Sequence, residues 1–356
     1  MTKVTFARAQ DEFSLVLRKK VDEYFRTNRI KQTGNLKLYT KTGVLLITLI
    51  ALYYVLVFQT PAAWLALPLC ALAGVNLAAI GFNVMHDGCH GSYSRKQWVN
   101  DLMGYTLDVM GGCSYFWKVK HNVAHHSYTN IEGHDEDIDI RPFLRLNTQQ
   151  KKRWFHKYQQ FYWPVLYCLT YFWWVCFRDI KKYIERRVAT TEIPHMDFKQ
   201  HAIFWGGKLL YFWLWWYVPI SLVGFGPFML GYGITLAATG ITLGVVFQMA
   251  HAIEELDFPE PDPQTLKIDN AWFIHQLNTT ANFAPRSKFW GWITGGLNFQ
   301  VEHHLFPRVS HVHYPSIAPI VQQVCADYNV RYNVHQTFPS ALFSHIKHLK
   351  FIGRQP

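Results

Sequence analysis

The 356-residue chain is 50% hydrophobic and 17% aromatic, and these side chains are gathered into long blocks, a distribution that argues for an integral membrane protein rather than soluble domains. Its formal charge of +11 does not point to nucleic acid, because the basic residues flank apolar blocks, as at Arg18, Lys19 and Lys20 and at Lys181, Lys182, Arg186 and Arg187, the pattern of juxtamembrane anchors. The cysteines Cys70, Cys89, Cys113, Cys168, Cys176 and Cys325 form no CxxC pair, which excludes a zinc ribbon and a dense disulfide framework.

Residues 1–42 form a mixed, charged amino-terminal segment with helical spacing through Phe13, Leu17, Val21, Tyr24 and Phe25. The first apolar run starts too late for a cleavable leader, and the basic excess before it marks this side as cytoplasmic. Apolar runs at 43–58 and 62–82, joined by Gln59-Thr60-Pro61, predict a transmembrane hairpin. His86 and His90 of HDGCH should then lie just beyond the second helix, back on the cytoplasmic side. Residues 91–120 lack a continuous apolar run and predict an interfacial helix leading to HNVAHH, with His121, His125 and His126. The acidic stretch 133–143 reads as a loop whose carboxylates either orient these imidazoles or are ordinary loop acidity.

The run 161–177, with Pro164 near its start, is apolar but is expected to lie shallowly or re-enter. A lone crossing there would strand the histidine clusters on opposite sides of a hydrocarbon layer about 30 Å thick. Runs at 204–222 and 228–250, turning at Gly224-Phe225-Gly226-Pro227, predict a second hairpin that delivers His251 to the same level. Residues 252–292, with Pro259, Pro261 and Pro263, read as a cap, and QVEHH follows with Gln300, His303 and His304. A helix is expected from near Tyr314, with His311 and His313 outside the innermost ligand set. The predicted fold is an all-α integral membrane protein with four transmembrane helices in two hairpins, interfacial helices and a cytoplasmic histidine-rich cap. Its body spans 43–320 and its cytoplasmic carboxyl-terminal segment 321–356.

Clustered imidazoles beside oily segments are poor solubility devices and good transition-metal ligands. His86, His90, His121, His125, His126, His251, His303 and His304 are too many for one octahedral ion and suit two ions with about four ligands each. Zinc is redox-inert, and copper lacks a Cys and Met ligand set here; the metal's identity stays open at this point.

HDGCH, HNVAHH and QVEHH resemble, in order and separation, the three histidine boxes of the membrane fatty acid desaturases, over roughly residues 40–320. The resemblance implies two iron ions held by His86, His90, His121, His125, His126, His303 and His304, with His251 following the fourth helix. Gln300 replaces the first histidine of the third box, which resembles the front-end group and gives Gln300 an expected part in the reaction, binding metal weakly or holding a water. That group adds a cis double bond between an existing one and the carboxyl end, at position 5 or 6. The implied substrate is a fatty acyl-CoA or acyl lipid. No HPGG haem motif is present, so electrons are expected from a separate ferredoxin or cytochrome b5 type donor with its reductase. The implied setting is a bacterial inner membrane or endoplasmic reticulum, among membrane lipids, with the site facing the cytoplasm. A sphingolipid desaturase and a di-iron lipid hydroxylase are alternatives within the same chemistry. A metal transporter is the alternative from another class, and it would want ligands along a mid-membrane path.

Overall fold

A computed structural model describes residues 4–7 and 12–356; residues 1–3 and 8–11 of the amino-terminal segment lie outside the described residues. Helices dominate, and three of them are long and apolar enough to cross a membrane: α2 (Leu36–Gln59), α3 (Ala63–His90) and α7 (Phe225–His251). Asn35 caps α2 by accepting from Lys37 N–H, so the helix starts before the apolar run itself. The tight turn after α2 places Thr60 at φ 44°, and α3 leaves on the other side of Pro61. α3 and α7 approach closely along their lengths, because a Cβ on Gly74 would lie 2.4 Å from the Thr235 carbonyl oxygen. A bulkier residue there would force the two backbones apart.

The second apolar run does not stop at residue 82, as its hydropathy suggests. α3 continues through His90, so His86 and His90 stand on the helix rather than beyond it. The extension survives because its polar groups are buried and partnered: the Lys41 ammonium donates to Asn83 Oδ1 (2.7 Å), and Ser310 Oγ donates to the Asp87 carboxylate (2.6 Å). Residues 91–120 form short helices, Gln97–Gly104, Thr106–Val109 and Ser114–Lys118, instead of one interfacial rod. Gly111, at φ 92°, is among the residues that break it. The chain then runs into α4 (residues 114–128), which carries the second histidine cluster.

Apolar run 161–177 lies within a continuous helix, α5 (residues 159–185). Trp163, Tyr167, Tyr171 and Val175 are buried, whereas Phe161, Val165, Leu169, Trp173 and Phe177 form an exposed apolar stripe at every fourth position. Both ends of α5 are tied to the histidine-bearing layer. Gln159 accepts from Arg145 N–H (2.9 Å) at one end, and at the other Lys182 Nζ lies 3.2 Å from Glu136, the neighbour of Asp135. Its middle presses on α7, where a Cβ on Gly240 would come within 2.5 Å of the Tyr167 carbonyl oxygen. α6 (residues 198–223) follows, capped by Asp197 and containing Lys208, whose buried ammonium donates to the carbonyls of Gly111 and Val175 (both 2.6 Å). Only Gly224 separates α6 from α7.

The cap is built by α1 (Glu12–Thr27), α8 (Trp272–Thr279), α9 (Gln300–Leu305), α10 (Tyr314–Asp327) and α11 (Phe338–Ile352). Phe13, Leu17, Val21 and Phe25 of α1 share one core with Val301, Leu305, Ile317, Val321 and Val324. Each such side chain removed from water contributes about 2 kcal/mol, so the amino-terminal helix helps hold α9 in place. Arg145, fully buried, donates to the carbonyls of Ile352 and Gln355 (3.1 and 2.8 Å) and fixes the end of α11. Three two-stranded pairings complete the described structure: Thr5–Ala7 with Lys267–Ala271, Arg187–Val188 with Thr191–Glu192, and Asn282–Phe283 with Val334–His335.

Candidate metal centre

The last turns of α3 place His86 and His90 one turn apart, on one face. Asp87 between them turns away, lying 3.0 Å from His311 Nδ1 and accepting from Ser310. In α4 the chain makes a wide turn, in which His126 N–H reaches the His121 carbonyl five residues back. In a regular α-helix residues five apart are rotated by about 140°. The wider turn reduces that offset and brings His126 onto the face already shared by His121 and His125. α7 ends at His251, whose backbone carbonyl accepts from Asn130 Nδ2 (2.8 Å). On α9, Gln300, His303 and His304 face the same interior, while Glu302 faces away and accepts from Asn282 and from Tyr332 O–H (2.8 Å each).

All eight histidines singled out in the sequence, and Gln300, meet in this one buried volume. Ring nitrogens of His86, His90, His121 and His303 lie within 4.8 Å of one another, as do those of His125, His251 and His304, and those of His126, His303 and His304. His126 and His303 therefore stand between two groups of donors. Gln300 Nε2 lies 2.8 Å from His251 Nε2 and 3.3 Å from His304 Nε2, so the amide belongs to the second group. Asp137 also approaches His121 and His125, but it is engaged by Lys120. His311 and His313 are buried outside the cluster, His311 against Asp87 and Lys41.

Surrounding groups fix the rings. His125 Nδ1 lies 3.0 Å from the Asp135 carboxylate, His304 Nδ1 2.7 Å from Gln276 Oε1, His303 Nδ1 3.1 Å from Tyr314 Oη, and His251 Nδ1 3.3 Å from the Thr279 carbonyl. Trp117 stacks on His121 with centroids 4.3 Å apart. The sequence hinted only at the acidic loop; Gln276, Thr279 and Tyr314 carried no local signal, because each meets its imidazole through the tertiary fold.

Burial, and then the neighbouring imidazoles, hold His121, His126, His303 and His304 well below the ordinary histidine range, so they are neutral. Burial would lower His125 as well, but the charge and hydrogen bond of Asp135 outweigh it and raise this ring. With Nδ1 of the neutral His304 committed to Gln276 Oε1, its Nε2 is a lone pair turned inward, and His125, held to Asp135 through Nδ1, turns its Nε2 inward as well. The Nε2 atoms of His121, His126 and His303 also face each other at 3.0–3.4 Å, and those of His90 and His125 have no hydrogen-bond partner. Inward lone pairs crowded against one another are costly alone and are resolved by cations bound among them. The residues present therefore fit a transition-metal site with nitrogen ligands and outer partners that orient them.

Below this cluster lies a cavity of about 470 Å³ between α2, α3, α6 and α7, lined by Tyr53, Ala66, Leu77, Tyr171, Trp215 and Leu236 among others. Its lining is mostly apolar, and its phenols are occupied: Tyr53 donates to the Leu214 carbonyl (2.6 Å) and Tyr171 to the Met110 carbonyl.

The family model described as fatty acid desaturase matches residues 62–336. The chain is similar to an sn-1 linoleoyl-lipid 6-desaturase of Arthrospira platensis, 38% identical across 100% of this chain and 96% of that protein. It is similar to an acyl-lipid (8-3)-desaturase of Physcomitrium patens, 36% identical across 98% of this chain and 73% of that protein. A second sn-1 linoleoyl-lipid 6-desaturase, from Synechocystis sp., is 35% identical across 96% of each.

Proposed function

The chain belongs to the fatty acid desaturases, and from that premise we propose that it places a cis double bond on the carboxyl side of an existing one, at position 6 of a lipid-linked linoleoyl chain. Two relatives of that named activity support the position and the lipid carrier. The observation that carries the reading is the pair of inward-facing imidazole groups, sharing His126 and His303, above an apolar cavity. His86, His90, His121 and His303 would hold one iron, and His125, His251 and His304 another, with His126 in reach of His303 and His304. Bound iron supplies dioxygen activation and the removal of hydrogen from an unactivated methylene pair. The balance is one saturated C–C unit made unsaturated and dioxygen reduced to two waters, with two electrons and two protons from a separate donor.

The chain's own contribution is position and exclusion. Gln300 keeps an amide against the second group; rotation about its last bond exchanges oxygen for nitrogen and presents a carbonyl or holds a water there. The cavity takes the methyl end of the acyl chain and shuts water from the reacting carbons. α6 supplies the fourth crossing, so that two hairpins gather every ligand on the cytoplasmic side, where the basic flanks lie. α5 lies along that interface, its exposed stripe against lipid.

The deciding experiment gives the iron-loaded enzyme a linoleoyl lipid, oxygen, donor and reductase, then locates product bonds by mass spectrometry. A new bond at position 6 is expected. A bond only on the methyl side rejects the carboxyl-side reading, and no oxygen-dependent oxidation rejects the function. Asp135→Asn keeps the shape at His125 Nδ1 but removes the charge, and should weaken iron retention against a chelator by roughly ten- to a hundredfold. Unchanged retention would take Asp135 out of the site's support. Ala66→Trp fills the cavity at its far end, and should shift preference toward a chain shorter by two carbons by at least about tenfold in competition assays; an unchanged ratio would place the chain's methyl end elsewhere.

A further inference from the structure

Beside the ligand cluster, a surface groove of about 680 Å³ runs between the first turns of α2, the 285–292 segment and the loop bearing His311. Val44, Trp292, Phe299 and Pro315 give it apolar walls, and Lys37, Lys41, Arg286 and Lys288 give it four cations. No carboxylate lines it, and among the described residues none of these four cations has an acidic partner within 4.0 Å. Lys37, Arg286 and Lys288 are exposed. Lys41 is buried, its ammonium on Asn83 Oδ1 (2.7 Å) and His311 Nε2 (3.1 Å) and 5.7 Å from the centroid of Trp292. His311 in turn lies 3.0 Å from Asp87, next to His86, so the innermost cation is two contacts from the residue beside a metal ligand.

We propose that this groove holds the phosphodiester head group of an anionic glycerolipid whose acyl chain is the substrate. The inference rests on the desaturase reading and names its substrate class. Uncompensated ammonium groups and an arginine fork recognise phosphate by charge and by paired hydrogen bonds. The apolar walls select a lipid over free phosphate, and the groove opens where α2 begins, at the polar edge of a membrane span flanked by exposed Leu36 and Phe289. A head group seated there is linked through His311 and Asp87 to the helix that carries His86. That link suits oxidation close to the carboxyl end, with the methyl end left to run down α2, where Leu49 and Tyr53 line the cavity.

The test reconstitutes iron-loaded enzyme in nanodiscs of saturated phosphatidylcholine carrying equal amounts of dilinoleoyl phosphatidylglycerol and dilinoleoyl phosphatidylcholine. Lipid retained through detergent exchange and new double bonds are both read by mass spectrometry. Selective retention of phosphatidylglycerol is expected, falling about fivefold for each cation removed, and so roughly twenty-five-fold in R286Q/K288Q, with iron content unchanged. The same charge loss in K151Q/K350Q, outside the groove, should leave retention as it was. Equal retention of the two lipids, wild-type retention in R286Q/K288Q, an equal loss in K151Q/K350Q, or displacement by inorganic phosphate at matched concentration would each overturn the proposal. Selective retention without oxidation of either lipid leaves the head-group site standing and rejects the desaturation reading. Equal oxidation of both lipids with no selective retention does the reverse.

Discussion

His303→Ala should reduce turnover by more than about a thousandfold and strip iron from the protein. His303 has ring nitrogens within reach of His86, His90 and His121 on one side and of His126 and His304 on the other, so its loss opens both donor groups together. The neighbouring Glu302→Gln is the informative comparison. Glu302 faces Asn282 and Tyr332, and burial pushes its carboxyl up to about 7, so the neutral amide resembles a form already within reach near neutrality. Iron should stay bound in Glu302→Gln and leave in His303→Ala, measured by metal analysis of folded protein. Full iron and full activity in His303→Ala would remove this residue from the centre.

Gly295→Val should abolish folded, iron-bearing protein altogether. The residue sits at φ 58°, and a Cβ there would lie 2.3 Å from the Phe82 carbonyl oxygen, in the stretch where α3 widens just before His86. A left-handed backbone costs a residue with a side chain roughly 1–2 kcal/mol, and more when it is β-branched. The clash adds backbone displacement between the segment leading to His303 and the helix carrying His86. Size-exclusion profiles of detergent extracts give the readout. Gly43→Ala, where a Cβ meets nothing within 4 Å, should run as wild type; a Gly295→Val protein that also does so, with normal iron, would show that α3 and the 295–305 segment can separate without harm.

Much of this was legible in the residues. Apolar runs located α2, α3 and α7, because hydropathy measures what a bilayer measures. Spacing alone put His125 beside His126 and His303 beside His304, and the position of His251 after an apolar run located a distant ligand candidate that no box contains. What was not legible depends on partners remote in sequence. The polar end of α3 fell outside the predicted span because Asn83 and Asp87 end the apolar run, and only the fold brings Lys41 and Ser310 beside them. Gln276 and Tyr314 gave no signal because their imidazoles reach them only through the packing of α8, α9 and α10. Residues 159–185 were hard for another reason: periodicity gives the helix a buried and an exposed face, but not whether lipid or protein covers the latter.

The wide turn in α4 carries a genetic consequence. No single side chain creates it, since it is in effect one extra residue accommodated between His121 and His126. A scan that changes each amino acid in turn will register the three imidazoles and pass over the turn itself. A deletion of one residue within 122–124 would instead relax the wide turn to a regular helix, in which His126 lies four residues from His121 and about 40° from it, still on the shared face. The reading frame would survive, and so would the face on which the three rings meet. For this stretch, one residue of length is freer to vary than any of the three identities.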